Sequence, residues 1–120
     1  MGIRTKSIYE PKEKEDGLRV LITRYYPRGV KKDRFDRWMK ELSPSIPLLR
    51  AYKDGKKTWD ELASGFEAEV NANPAALEAI DVLKKESRKG SVTLLCYEKA
   101  PNPCHRTIVA ELIKNRNPIR

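Results

Sequence analysis

Residues 92–113 read VTLLCYEKAPNPCHRTIVAELI, and this stretch decides how the chain folds. Val92 to Cys96 are apolar or β-branched without a break. Such a run is how a strand buried on both faces reads, as in the middle of a parallel sheet. A short loop leads to Asn102-Pro103-Cys104-His105-Arg106 and then to an amphipathic pattern. Asn102 suits an N-cap, because its side-chain oxygen can accept from the free amides of a first turn. Pro103 suits the first helical position, where a missing N–H is not missed. The expected product is a buried strand, a loop, and a helix whose first turn carries a thiol, an imidazole and a guanidinium. First-turn amides and the helix dipole attract anions and lower a thiol's pKa.

Working outward, Arg19 to Thr23 (RVLIT) is a second buried-strand candidate, and Ile3 to Tyr9 a weaker first one. Glu10 to Gly17 is rich in charge and reads as an exposed loop. Asp33 is placed to cap a helix on which Phe35, Trp38, Met39 and Leu42 recur at helical spacing. Ser43-Pro44-Ser45-Ile46-Pro47 ends it, because a residue before proline is pushed out of the α region. Leu48 to Tyr52 reads as a short helical turn. Thr58-Trp59-Asp60-Glu61 has the spacing of a capping box, followed by a face of Trp59, Leu62, Ala63, Phe66 and Val70. Asn73-Pro74 repeats the cap-plus-proline device before the stripe Ala76, Leu77, Ile80 and Leu83. Gly90 suits that helix's C-terminal cap.

This order predicts a single α/β domain over residues 1–120. Its form is a small three-layer fold: a mainly parallel sheet of three or four strands, helices on both faces, right-handed crossovers. The length suits one domain with one core. No apolar run approaches a membrane span and MGIRTKSIYE lacks the apolar core of a signal peptide, so a cytoplasmic protein with no membrane partner is expected. Two cysteines in that setting are expected to be free thiols.

The net charge of +8 is unevenly placed. Residues 1–60 carry 16 Lys/Arg against 9 Asp/Glu, and residues 61–120 carry 9 against 8, so the surplus belongs to the first half. Such a surplus favours an anionic partner, whether nucleic acid, nucleotide or another phosphorylated small molecule; the alternative is a solvated, lysine-rich surface.

Open, Rossmann-like parallel sheets bind ligands outside the C-terminal ends of their strands. Two of the expected strands end in charged loops. Arg24, Arg28, Lys31 and Lys32 follow Thr23; Tyr97, Glu98, Asn102, Cys104, His105 and Arg106 follow Cys96. If those strands are parallel neighbours, the loops share one cleft. Arg24, Arg28 and Arg106 then form a fork for phosphate or carboxylate, or else they brace the loops internally. Ser43 and Ser45 are candidate ligand contacts, or simply turn residues. Cys104, His105 and Glu98 are the candidate catalytic set, with Glu98 or His105 moving protons and Cys104 assisting. Against a ready pair, neighbouring helical residues point about 100° apart. Six residues after Cys96 comes Asn102, so the Cys-x5-Arg loop of thiol phosphatases is absent. His105 alternatively packs with Ile108, Val109 and Leu112 as a hydrogen-bonded core residue. Cys96, Cys104 and His105 are donor types for a metal, yet neither CxxC nor HxxxH spacing occurs, so no metal is expected. No cofactor motif is present either. The Tyr25-Tyr26 pair beside arginines suits base stacking, which keeps a nucleic-acid-binding module without catalysis as the alternative.

TRYYPRGVKK, then a Trp-containing segment, SPS, and a closing LLCYEK…CHR unit, together resemble the family known as domain of unknown function 488, in particular its YeaO-like branch. The resemblance runs from about Tyr9 to Ile113 and rests on several separated motifs in the right order. On it, Arg24, Pro27, Arg28, Gly29, Ser43, Pro44, Ser45, Glu98, Cys104, His105 and Arg106 match the family's signature positions. It implies a small α/β fold and a cytoplasmic prokaryotic protein, and no established reaction.

Overall fold

The structure, a computed structural model, describes residues 2–97 and 104–115. Four strands form one sheet: β1 (Gly2–Ser7), β2 (Leu18–Leu21), β3 (Arg37–Trp38) and β4 (Ser91–Cys96). Their order is β1-β4-β2-β3 and every pairing is parallel. The apolar run of β4 thus lies where its composition demands, between β1 and β2, with Val92 to Cys96 fully buried. Strands in a parallel sheet hide both faces, so the run needs no polar alternation.

Four α-helices follow the caps that the sequence supplies: α1 (Ile46–Lys53), α2 (Trp59–Asn71), α3 (Pro74–Lys89) and α4 (His105–Asn115). At α2 the capping box closes, Glu61 N donating to Thr58 Oγ1 at 3.2 Å and Thr58 N to Glu61 Oε1 at 2.8 Å. At α3, Ala75 N donates to Asn73 Oδ1 at 3.1 Å. The segment read as a helical turn is a full helix, α1, because Ser45 caps it by accepting from Leu48 N at 3.3 Å. Gly90 ends α3 with extended backbone (φ −177°) rather than the left-handed cap expected. The expected start of α4 at Asn102 and Pro103 lies outside the described residues; the described helix begins at His105, with Cys104 just ahead of it.

The core is lopsided. Val92, Leu94 and Cys96 of β4 join Val20 and Ile22 and residues from all four α-helices, Leu48, Phe66, Ile80 and Val109 among them. On the opposite face Ile8, Leu21 and Leu95 meet Val30, Phe35 and Trp38, none of which is on an α-helix. Among the described residues, 3-10 turns and loops cover that face. Each buried Leu, Ile, Val or Phe side chain contributes about 1.5–3 kcal/mol.

The helix expected over residues 33–42 is absent. A 3-10 turn (Lys32–Arg34), β3 and a second 3-10 turn (Lys40–Leu42) replace it. The physical reason is the open edge of β2. Asp36 N donates to Arg19 O and Met39 N to Leu21 O, both at 2.8 Å, satisfying carbonyls that a helix would leave bare. The apolar spacing is then shared between two faces, Phe35 and Trp38 packing on the loop side and Met39 and Leu42 on the helix side.

The loop from Glu10 to Gly17 is not wholly exposed. Asp16 is fully buried over the row Arg4, Thr93 and Arg19, one residue from each of three strands. Its carboxylate pairs with Arg19 and with Lys6 Nζ at 3.1 Å, and Glu13 N donates to it at 3.0 Å. Thr93 Oγ1 donates to the Asp16 carbonyl at 2.7 Å. Among the described residues no helix is long and apolar enough to cross a membrane.

Candidate functional site

Because β2 and β4 are parallel neighbours, the segments after them leave the same edge of the sheet. There they wall one cavity of about 410 Å³ together with α1 and the start of α2. Thr23, Arg24 and Tyr25 come from one strand end, Cys96 and Tyr97 from the other, and Cys104 and His105 from the foot of α4. Ile46, Leu49, Arg50 and Lys53 come from α1, at i, i+3, i+4 and i+7, so one stripe of that helix faces the cavity. Tyr52, Trp59 and Leu62 add an apolar wall, with Tyr52 and Trp59 in edge-to-face contact at 5.6 Å.

The floor is built from sulfur and nitrogen. Cys96 and Cys104 are joined as a disulfide rather than being the free thiols expected, their Cα atoms 7.4 Å apart. Cys104 Sγ lies 3.7 Å from His105 Nδ1. The expectation that adjacent helical side chains diverge does not hold here, since Cys104 precedes the helix and is free of its 100° rotation. The other ring nitrogen, Nε2, bonds the Ile22 carbonyl. A carbonyl only accepts, so Nε2 carries the hydrogen and Nδ1 presents a lone pair. Burial drives the His105 pKa down to about 4; the Ile22 carbonyl opposes this, and the Arg106 and Arg24 charges reinforce it. The imidazole is neutral at neutral pH. Phe66 meets it edge-on at 5.8 Å and fixes its plane.

The three arginines of the expected fork part company. Arg24 lines the cavity, anchored by Nη2 on the Ser43 and Pro44 carbonyls at 3.0 and 2.9 Å. Its Nε is buried without a hydrogen-bond partner among the described residues. Arg106 is 5% exposed and sits below the floor, Nη1 donating to Cys96 Sγ at 3.2 Å. Arg28 is exposed and is not on the cavity wall; its carbonyl accepts from Tyr9 Oη at 3.0 Å. Ser43 lines the cavity, but its hydroxyl donates to Lys40 O at 2.7 Å. Ser45 caps α1 and donates to Glu69 Oε2 at 2.5 Å, on a second, smaller cavity of about 360 Å³ beside the first. Glu98 lies outside the described residues. Tyr26 packs edge-on against Phe35 and Trp38, so of the tyrosine pair it is Tyr25 that faces the cavity.

Sequence reading missed Arg50, Lys53, Tyr52 and Trp59. The signal was present: charge at positions 50 and 53 interrupts the apolar stripe begun by Ile46 and Leu49. It also set aside Cys96, whose place at the end of a central strand puts its sulfur on the cavity floor. The three donor types it discounted on spacing lie close together, the two sulfurs being bonded to each other. Donor atoms of Cys96, Cys104 and His105 all lie within 4.8 Å of one another.

The chain is 30% identical to Uncharacterized protein YeaO of Escherichia coli (strain K12) over 118 residues, covering 96% of this chain and 99% of that one. It is also 30% identical to Uncharacterized protein Rv3073c of Mycobacterium tuberculosis over 116 residues, 95% of each chain. No solved structure matches it. The Active DUF488-N3 subclade matches residues 3–117, which spans the sheet, the cavity and the cysteine pair, and the chain belongs to that family.

Proposed function

We propose that the 410 Å³ cavity binds a phosphorylated small molecule of nucleotide size. The observation that carries this reading is the make-up of one wall. Arg24, Arg50 and Lys53 face the cavity, with Asp54 the one carboxylate among the described lining residues, beside the aromatic surfaces of Tyr25, Tyr52 and Trp59. Guanidinium groups suit phosphate oxygens bidentately, and a lysine adds a movable point charge. Aromatic faces take a planar base. The volume falls in the range of small-molecule sites, about 300–1,000 Å³. Arg24 is the fixed member, held by two carbonyls, with a buried Nε still free to donate. Arg106 acts from below by holding Cys96, not by touching the anion. Arg28 has no part in this wall, and the anion site is built on Arg24, Arg50 and Lys53.

A nucleoside mono- and diphosphate series and inorganic phosphate, titrated against the protein by differential scanning fluorimetry and calorimetry, tests the proposal. Saturable stabilisation by a nucleotide, lost in the Arg50→Ala/Lys53→Ala double variant, is expected. No shift with any member, or an equal shift in the double variant, overturns it. The nucleic-acid alternative loses support from Tyr26, whose ring is engaged by Phe35 and Trp38 rather than presented for stacking.

A further inference from the structure

Three donors of the kind that bind soft metal ions meet at the foot of α4. Cys104 Sγ and His105 Nδ1 stand 3.7 Å apart. A tetrahedral ion with bonds of about 2.3 Å to sulfur and about 2.0–2.1 Å to nitrogen sets such a pair about 3.5 Å apart. Cys96 Sγ, bonded to Cys104 Sγ in the oxidised protein, lies within 4.8 Å of His105 Nδ1.

The surroundings prepare these atoms as ligands. His105 gives its Nε2 hydrogen to the Ile22 carbonyl, which fixes the ring and turns the Nδ1 lone pair towards the sulfurs. Metal-bound imidazoles are ordinarily oriented in this way, the second nitrogen donating to a carbonyl or carboxylate. Arg106 Nη1 donates to Cys96 Sγ at 3.2 Å, a charge-assisted bond that favours the thiolate. The disulfide is the oxidised form of the same pair. Its Cα atoms stand 7.4 Å apart, whereas disulfides ordinarily span about 4.4–6.8 Å. The backbone thus leaves room for the two sulfurs to separate once the bond between them is reduced.

We infer that the reduced protein binds one Zn²⁺ through Cys96 Sγ, Cys104 Sγ and His105 Nδ1, with the fourth coordination position facing the cavity. Two thiolates and an imidazole select zinc over Mg²⁺ and Ca²⁺, which prefer oxygen. All three residues line the cavity, so the open position is reachable by water or by a bound molecule. Three protein ligands and an open fourth position are the arrangement of reactive zinc centres; structural ones close all four. Reduction of the disulfide takes up two electrons and two protons. Binding then releases the protons without changing any oxidation state. The inference stands apart from the anion proposal, because its donors are not the cations of the cavity wall.

The test is a titration of the full-length protein, reduced by a phosphine, with Co²⁺ alone in buffer free of nucleotide and phosphate. The expected result is saturation at one ion per chain. Thiolate-to-cobalt charge-transfer absorption and the d–d bands of a four-coordinate site should appear, both bleached by Zn²⁺. In Cys104→Ser the charge-transfer intensity should fall and binding weaken at least about tenfold, as expected when a metal's coordination sphere is damaged. Absence of charge-transfer absorption in the reduced wild type overturns the inference, a reading that needs no variant to fold. An unchanged spectrum in Cys96→Ser/Cys104→Ser overturns it too.

Discussion

Two polar clusters are buried in this small molecule, on opposite faces of one sheet, and they are built on different principles. Around Asp16, opposite charges meet directly, although Arg19 Nη2 is buried with no hydrogen-bond partner among the described residues. Lys6, Arg19 and the Glu13 amide converge on one carboxylate, Arg4 adds a longer contact at 3.6 Å, and Arg19 Nε also donates to Arg34 O at 2.7 Å. Around His105, the donors face one another and a cavity, and among the described residues Nδ1 meets sulfur. A cluster of the first kind is closed, and it holds the strands together. One of the second kind is preorganised and open, which is how binding sites differ from structural ion networks even where both contain buried charge.

That contrast is broken most directly at Asp16. Asp16→Ala leaves the 1%-exposed Arg19 without its carboxylate and the 8%-exposed Lys6 with Glu13 only. Losing one partner of a buried pair destabilises by about 3–5 kcal/mol. Urea denaturation should show this as a lower midpoint at an unchanged slope, and a loss below about 1 kcal/mol would mean that the cluster does not hold the fold. The same group makes the protein acid-sensitive in a defined direction. Burial pushes the Asp16 carboxyl up, but the Glu13 amide, Lys6 and Arg19 outweigh it and hold the pKa below the ordinary 3.8. Its stabilisation is therefore complete above pH 3.8 and is lost as pH falls through the lower, folded value. The stability gap between wild type and Asp16→Asn should narrow on acidification in that range; a gap independent of pH would contradict the assignment.

A smaller effect, on the same side, is expected at Gly17. Its φ of +63° is left-handed, and an added Cβ would stand 2.2 Å from the Ser91 carbonyl oxygen. Left-handed backbone at a residue other than glycine costs about 1–3 kcal/mol, and backbone cannot yield to the clash as a side chain would. Gly17→Ala should fall in or above that range by thermal or chemical denaturation. Gly29, also at positive φ (+76°) but with open space around it, should lose less in Gly29→Ala, and equal losses would mean that crowding by Ser91 adds nothing.

The two clusters also differed in how far they could be foreseen. Strands β2 and β4 were legible because unbroken apolar runs such as Val92 to Cys96 have few other uses in a chain of this size. The caps at Thr58 and Asn73 were legible because they are local. Asp16 was not: PKEKEDG has the composition of an exposed loop, and its burial follows only from Arg4, Arg19 and Thr93 lying side by side on three strands. The helix expected at residues 33–42 failed for a related reason. Phe35, Trp38, Met39 and Leu42 satisfy helical spacing, but the bare edge of β2 is a long-range fact that spacing does not carry. At the cavity, the meeting of the two strand-end segments followed from parallel neighbours. The part played by α1 did not, since its register depends on the Ser45 cap.

Thr58→Ala supplies a calibration between these scales. It removes the bond that Glu61 N gives to Thr58 Oγ1, keeps the one that Thr58 N gives to Glu61 Oε1, and touches neither cluster, so a loss of about 1 kcal/mol is expected. A loss matching that of Asp16→Ala would dissolve the distinction between local and clustered stabilisation.

The smallest expected change in stability is the most telling about the open cluster. Arg50 and Lys53 are exposed on α1 and no ion pair is recorded for either among the described residues. Substituting such surface residues usually alters stability by no more than about 0.5 kcal/mol. Arg50→Ala/Lys53→Ala should therefore unfold like the wild type in the absence of ligand, while losing the thermal shift produced by nucleotide. A variant that lost both together would place these cations among the supports of the fold, and the two faces of the sheet would then differ in degree only. Loss of the shift with stability intact separates them in kind: charge on the Asp16 side holds the strands, and charge on the α1 side is held out towards the cavity.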